Sequence, residues 1–267
     1  MKREQDGTTS GALSHESSGK CETTPGFVEE RRFFLKAPLA AAAGLILARA
    51  GGGGAQEPRA PRISSPSSQA QLEFAAFFEE CFGLARQAAG SATLDEDAYL
   101  ARLSAVAARL RLETVPDAKT GRFGEINPPI EFGPIKAQPP LVLILWRMAP
   151  GATLPAHNHT PADVLSVCLK GEVQVRHFDI VGEAPEYDSK QTFHIKETRN
   201  LLMAPGRMSG LTQVRDNIHT FHAGEQGALG MDINTFLPGD KKFSFLEFGD
   251  KPIDAGKRIY EAAWKKI

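Results

Sequence analysis

The sequence predicts a mainly β protein, a sandwich or barrel of short strands behind an N-terminal helical segment. Three observations carry this. Strand patterns recur at 164–170, 172–179, 199–204, 210–215, 218–223 and 227–236, most of them separated by Gly, Pro, Asp or Asn. Leu141 to Trp146 is a continuous apolar run, as expected of a strand covered on both sides. Residues 71–112 instead carry apolar residues at helical spacing, and no period of the repeat families appears.

In the helical part, Phe74, Phe78, Cys81 and Phe82 fall on one face. After Gly90, Thr93 and Glu96 form a capping-box pattern, and Tyr99, Leu103, Val106 and Leu110 continue the spacing. Both stripes read as core packing. Residues 122–140 are rich in Pro and Gly and read as loop, and the tail from Ala255 to Ile267 reads as a short amphipathic helix or a frayed end.

The 267 residues contain 31 Lys and Arg against 32 Asp and Glu, a net charge of -1. That is an ordinary globular composition, long enough for one domain with appendages. The charge balance argues against nucleic acid or an anionic membrane surface as the main partner. Cys81 and Cys168, the cysteines outside the N-terminal segment, are too few for a disulfide framework and read as buried small hydrophobes.

The stretch Glu30-Arg31-Arg32-Phe33-Phe34-Leu35-Lys36 reads as a twin-arginine signal. The apolar run from Ala37 to Leu47 is too short and too weakly hydrophobic for stable membrane insertion. Ala48-Arg49-Ala50 offers a cleavage site and Ala55 a second, followed by a linker rich in Gly, Pro and Ser. The expected organisation is a signal peptide at 1–55, a flexible linker at 56–70 and one domain at 71–267, with helices at 71–115 and a β-barrel at 141–248. The expected location is the periplasm or beyond, reached through the twin-arginine machinery, which carries proteins already folded.

The chemistry concentrates in Gly151-Ala152-Thr153-Leu154-Pro155-Ala156-His157-Asn158-His159. Histidines at i and i+2 of a strand project from one face, where a single metal can take both. A third ligand must come from elsewhere in the fold, and His219 in Asn217-Ile218-His219 is the best candidate. Phe221 shares the face of His219, and His222 points the other way. His15, His177, His194 and His222 have no partner at ligand spacing. A lone histidine is more often a satisfied core or surface residue than a ligand.

These residues resemble the first motif of the cupin superfamily, G-x5-H-x-H-x4-E-x6-G. Gly151, His157, His159 and Gly171 match it, and Val164 stands where the glutamate ligand would be. Cupins with three histidines and no glutamate resemble thiol dioxygenases. Within them the likeness is to the cysteamine dioxygenase and plant cysteine oxidase group, carried by Ala156-His157-Asn158-His159-Thr160, Gly171, Phe178-Asp179, Asn217-Ile218-His219 and Asp232-Ile233-Asn234. It spans about Leu72 to Phe248. The chain departs from that family in three ways. Val164 cannot make the cysteine–tyrosine cross-link of cysteine dioxygenases proper, no Y-x-R element occurs near 122–146, and Phe236-Leu237-Pro238 lacks the tyrosine of the plant group.

The resemblance implies a double-stranded β-helix (jelly-roll) barrel. It further implies Fe(II) held by His157, His159 and His219, and conversion of a small or N-terminal-cysteine thiol to its sulfinic acid with O2. Asp232 is the candidate carboxylate that orients a ligand imidazole or a substrate amine, against the plainer role of a strand-end residue bonded to backbone. Two rival readings stay open. One is a cupin dioxygenase or isomerase for a non-thiol substrate, with Asp163 recruited as a carboxylate ligand. The other is a non-catalytic cupin that binds a small molecule.

Overall fold

The computed structural model describes residues 70–265, except 160, 188 and 240–242. The twin-arginine segment, its cleavage sites and residues 56–69 of the linker lie outside the described residues.

Helix α1 spans Phe74–Ala89 and helix α2 spans Glu96–Ala107. α1 buries Phe77, Phe78, Cys81 and Ala85, and α2 buries Tyr99, Leu100 and Leu103. The expected capping box does not form. Asp95 is the N-cap, its Oδ1 accepting from the Ala98 N–H at 2.9 Å. Glu96 is thereby freed to reach the barrel, where it accepts from the backbone N–H and the side-chain amide of Gln213 at 3.1 and 3.2 Å.

Ten strands follow among the described residues: β1 (Gly121–Arg122), β2 (Ile130–Gln138), β3 (Leu141–Met148), β4 (Thr153–Asn158), β5 (Ala162–Val181), β6 (Thr192–Met203), β7 (Met208–Leu211), β8 (Ile218–Phe236), β9 (Phe245–Phe248) and β10 (Ile259–Lys265). Their pairing runs β1-β2-β3-β8-β4-β9-β10-β6-β5-β7, and β5 also pairs with β8. The second pairing closes a barrel around β8, β4, β9, β10, β6 and β5, a double-stranded β-helix with β3, β2 and β1 continuing one edge.

Two sequence expectations are corrected. The stretch 122–140 contains strand β2, paired along its length with β3, and Pro134 is tolerated because the register shifts between it and Lys136. The tail is strand β10, not a helix. Tyr260, Ala262 and Trp264 alternate inward and pack with Phe178 and Phe193. The local sequence supports either period, and the open edges of β6 and β9 decide for the strand.

The expected strand pairs at 164–179 and 218–236 are each one long strand with a bulge. Gly171 sits at φ 71°, and a Cβ there would lie 2.1 Å from the Gly227 carbonyl oxygen. Ladder shifts at Cys168/Lys170 and Gly171/Val173 mark the same place.

The core has an outer and an inner part. Outside, Leu141, Leu143, Leu165, Val167 and Ile233 lie under Phe77, Phe78 and Leu103 of the helices. Each such side chain contributes about 1.5–3 kcal/mol when fully buried. Inside, Trp146 and Phe221 pack with Val173, Val175 and Cys168. Both described cysteines are free and buried, and burial pushes Cys168 up to about 11, which keeps it an unreactive thiol.

Candidate metal centre

β4, β8 and β5 lie side by side, and their register sets a row of imidazoles across the barrel interior. His157 pairs with His219, and His219 with His177. His159 follows one residue after β4. His157, His159 and His219 form a cluster whose ligand atoms all lie within 4.8 Å of one another. The Nε2 of His219 is 3.0 Å from that of His159 and 3.0 Å from that of His157.

The donor set itself points to a cation. The Nδ1–H of His157 donates to the Pro155 carbonyl at 2.8 Å, so its Nε2 carries a bare lone pair in the neutral ring. One nitrogen of His219 cannot make good hydrogen bonds to two ring nitrogens at once. Two metal–imidazole bonds of about 2.1 Å to one ion would leave adjacent ligand nitrogens roughly 3 Å apart, which both contacts of His219 fit. The rings are also in the protonation state a metal needs. Burial holds His157 down to about 4, and burial with the neighbouring rings holds His159 and His219 well below the usual histidine range.

Val164 is fully buried against Ala162 and Leu211, so no carboxylate stands at the position of the missing glutamate. Asp163 does not replace it. As the next residue of β5 it faces the opposite way, toward α2, where its Oδ1 accepts from the same Gln213 N–H as Glu96, at 3.3 Å. Burial and the Glu96 carboxylate raise Asp163 to about 7.

Asp232 lies in the interior. Its Oδ1 accepts from the Trp146 indole N–H at 2.9 Å and the Ser166 hydroxyl at 2.7 Å. Burial raises it to about 6 against the pull of those two donors. These side-chain partners are neither a ligand imidazole nor backbone. The contact chain to the histidine cluster runs through rings, Trp146 to Phe221 at 5.2 Å and Phe221 to His219 at 4.6 Å between centroids. Gly230 makes room for the indole, since a Cβ there would meet the Trp146 ring at 2.0 Å.

The other described histidines stand outside the cluster. His222 is exposed and bonded to Thr153 at 2.8 Å, and His194 is exposed on β6, in a strand where a loop was expected. His177 is a core histidine that backs His219 with centroids 5.9 Å apart. Its Nδ1–H faces the Asp216 carbonyl at 3.4 Å, and its Nε2 accepts from the Ser209 hydroxyl at 2.5 Å. Sequence reasoning passed over this neighbour of the cluster, and over Phe243, whose ring is 5.4 Å from that of His157 and 6.0 Å from that of His159. Only the pairing of β5 with β8 brings His177 in, and only the approach of β9 to β4 brings in Phe243.

The PCO_ADO family profile matches residues 100–235, more than half of the chain and inclusive of all three clustered histidines. The chain belongs to the PCO_ADO family. It is thus a cupin of the thiol dioxygenase class, whose members are metal-dependent oxidoreductases. No curated protein matches this PCO_ADO member in sequence. Solved structures similar to it are more distant. KdgF from Halomonas sp. is 19% identical, with a TM-score of 0.31, over 44% of this chain and 89% of that one. A conserved protein with a double-stranded β-helix domain from Klebsiella pneumoniae is 12% identical, with a TM-score of 0.32, over 58% and 96%. The coconut allergen cocosin is 13% identical, with a TM-score of 0.35, over 49% of this chain, which spans about a third (32%) of that protein.

Proposed function

We propose that this protein is an iron-dependent thiol dioxygenase that converts a small or N-terminal-cysteine thiol to its sulfinic acid. The balance is RSH + O2 → RSO2H, with both oxygen atoms on sulfur and the thiol proton on the product. The observation that carries the reading is the convergence of three neutral Nε2 atoms where Val164 has replaced the carboxylate ligand.

His157, His159 and His219 would hold Fe(II), which when bound supplies Lewis acidity for a thiolate and a site for O2. The chain's own contribution is charge and order. Three neutral ligands leave the ion's positive charge uncompensated, which favours an anionic sulfur over a neutral alcohol or amine. The Pro155 carbonyl fixes the tautomer of His157, and His177 with Phe221 fixes the ring plane of His219. Asp232, anchored by Trp146 and Ser166, is the interior carboxylate that we assign to the substrate amine. The barrel interior has no buried Lys or Arg among the described residues, which fits an amine-bearing thiol better than a free amino acid. Isotope labelling with oxygen gas tests the chemistry. Sulfinate with one labelled atom, or disulfide as sole product, ends the dioxygenase reading.

We further propose export through the twin-arginine route, on the ordered signal around Arg31 and Arg32. No helix of the described residues is long and apolar enough to cross a membrane. Replacing both arginines with Lys is expected to trap the precursor in the cytoplasm. Mature protein in the periplasm at normal yield would refute the assignment.

A further inference from the structure

The residue between His157 and His159 points away from them, and its side chain is engaged at both polar atoms. Asn158 is buried. Its Oδ1 accepts from the Ser244 N–H at 2.7 Å, its backbone N–H donates to the Ser244 carbonyl at 3.1 Å, and its Nδ2 donates to the Tyr187 hydroxyl at 2.7 Å. Asn158 thus grips both backbone groups of one residue, Ser244, just before β9.

The grip decides what the flanking residues face. In extended chain, neighbours of a residue project to the opposite side. With Ser244 held against Asn158, Phe243 and Phe245 both turn toward the histidines. Phe245 is buried, 5.4 Å from the His157 ring. Phe243 stands edge-on to Phe245 at 5.0 Å and borders both His157 and His159, yet 50% of it is exposed. His159 is itself the one member of the cluster that is not fully buried. A large aromatic ring left open to solvent beside a polar cluster is surface of the kind a ligand covers.

We propose that Phe243 is a specificity-determining residue of this site. It receives the apolar group next to the thiol-bearing part of a substrate, and Asn158 is the positioning residue that holds it there. The inference rests on the thiol dioxygenase reading and narrows its substrate class. Thiols that extend past the thiol-bearing carbons into an apolar group, such as an N-terminal cysteine followed by an apolar residue, use Phe243. Cysteamine is too short to do so. Asn158 acts through chain geometry alone.

The test compares cysteinyl-leucine with cysteamine on the iron-loaded protein. Phe243→Ala is expected to raise KM for cysteinyl-leucine about tenfold, the scale of one apolar contact in a pocket. Cysteamine is expected to show no change in KM. Asn158→Ala is expected to reproduce that split. Asn158→Asp is expected to restore wild-type values, because a carboxylate accepts from both the Ser244 N–H and the Tyr187 hydroxyl. Equal KM changes for the two thiols, no change for either, or Asn158→Asp behaving as Asn158→Ala would each overturn the proposal. Titration of both thiols into the Co(II)-loaded protein, followed by its visible spectrum, separates the two levels. Binding to the Co(II) form with no oxidation by the iron form overturns the dioxygenase reading and leaves the Phe243 preference to be decided by the ratio of Kd values. Binding of neither thiol overturns both.

Discussion

The outer wall of the barrel and its interior are built from the same strands, β3, β5 and β8, and carry opposite chemistry. Outward, Leu143, Leu165, Val167 and Ile233 meet the helices in an almost wholly apolar layer. Inward, Ser166, Asp232 and the histidines sit among Trp146, Phe221 and Val175. A buried carboxyl group marks each side, and the two differ in how they are satisfied. Asp232 has two neutral donors. Asp163 competes with Glu96 for the single N–H of Gln213, and its Oδ2 is the one buried side-chain polar atom without a partner among the described residues. The interior pairs its carboxyl group with neutral donors, while on the wall Asp163 is accommodated by taking up a proton.

The largest effect comes from breaking the interior. His157→Ala, His159→Ala and His219→Ala are each expected to reduce bound iron and activity to below about a hundredth, read by metal analysis and an oxygen electrode. His194→Ala is expected to keep one iron per chain, as is His177→Ala, at a cost in stability from the cavity and the unpaired Ser209. Full iron occupancy in His219→Ala would remove that residue from the ligand set.

Breaking the wall should do the reverse. Phe78 is fully buried between α1 and the sheet. Phe78→Ala is expected to cost about 3–5 kcal/mol in denaturant unfolding, with iron content unchanged in the folded protein. Loss of iron from protein that is still folded would mean that the two sides of the sheet are not separable.

The smallest effect sharpens the contrast between the carboxyl groups. The folded state raises Asp163 to about 7, so it binds a proton that the unfolded chain releases near the ordinary value of 3.8. The stabilisation from that proton is complete below the unfolded value and is lost as pH rises through the folded one. Wild-type Tm is therefore expected to fall by roughly 5 °C between about pH 5 and about pH 8 on account of this group. Asp163→Asn, which supplies the missing N–H toward Glu96 at every pH, should flatten that slope. An unchanged slope in the variant would show that Glu96 and Asp163 do not share a proton.

Much of this arrangement is legible in the chain. The helical spacing from Phe74 to Leu110, the strand run at Leu141 and the i, i+2 pair of His157 and His159 are local patterns, and local patterns survive folding when one face is buried. The likeness of Asn217-Ile218-His219 to the family's N-L-H segment also singled out His219, which lies on the strand that begins at Ile218 and joins the cluster. The tail, expected as a helix or a frayed end, became β10 because the neighbouring strand edges of β6 and β9 took it up.

The sequence alone therefore carried the fold class and the helical preface through periodicity, His157 and His159 through their spacing, and His219 through its likeness to the family's N-L-H segment. The tertiary structure alone decided which residues join them. His219 and Asp232 differ in parity along β8, as do His177 and Ser166 along β5, and strict alternation would put the members of each pair on opposite faces. The register shifts around Gly171 and Gly227 put an odd step into each strand, from Cys168 to Val173 and from Ala223 to Ala228, and reverse the alternation, so all four side chains turn into the barrel. Phe243 reaches the site where β9 approaches β4 and Asn158 bonds to Ser244. A bulge and a cross-strand hydrogen bond depend on which strands meet, and that is a property of the assembled barrel rather than of any stretch of chain.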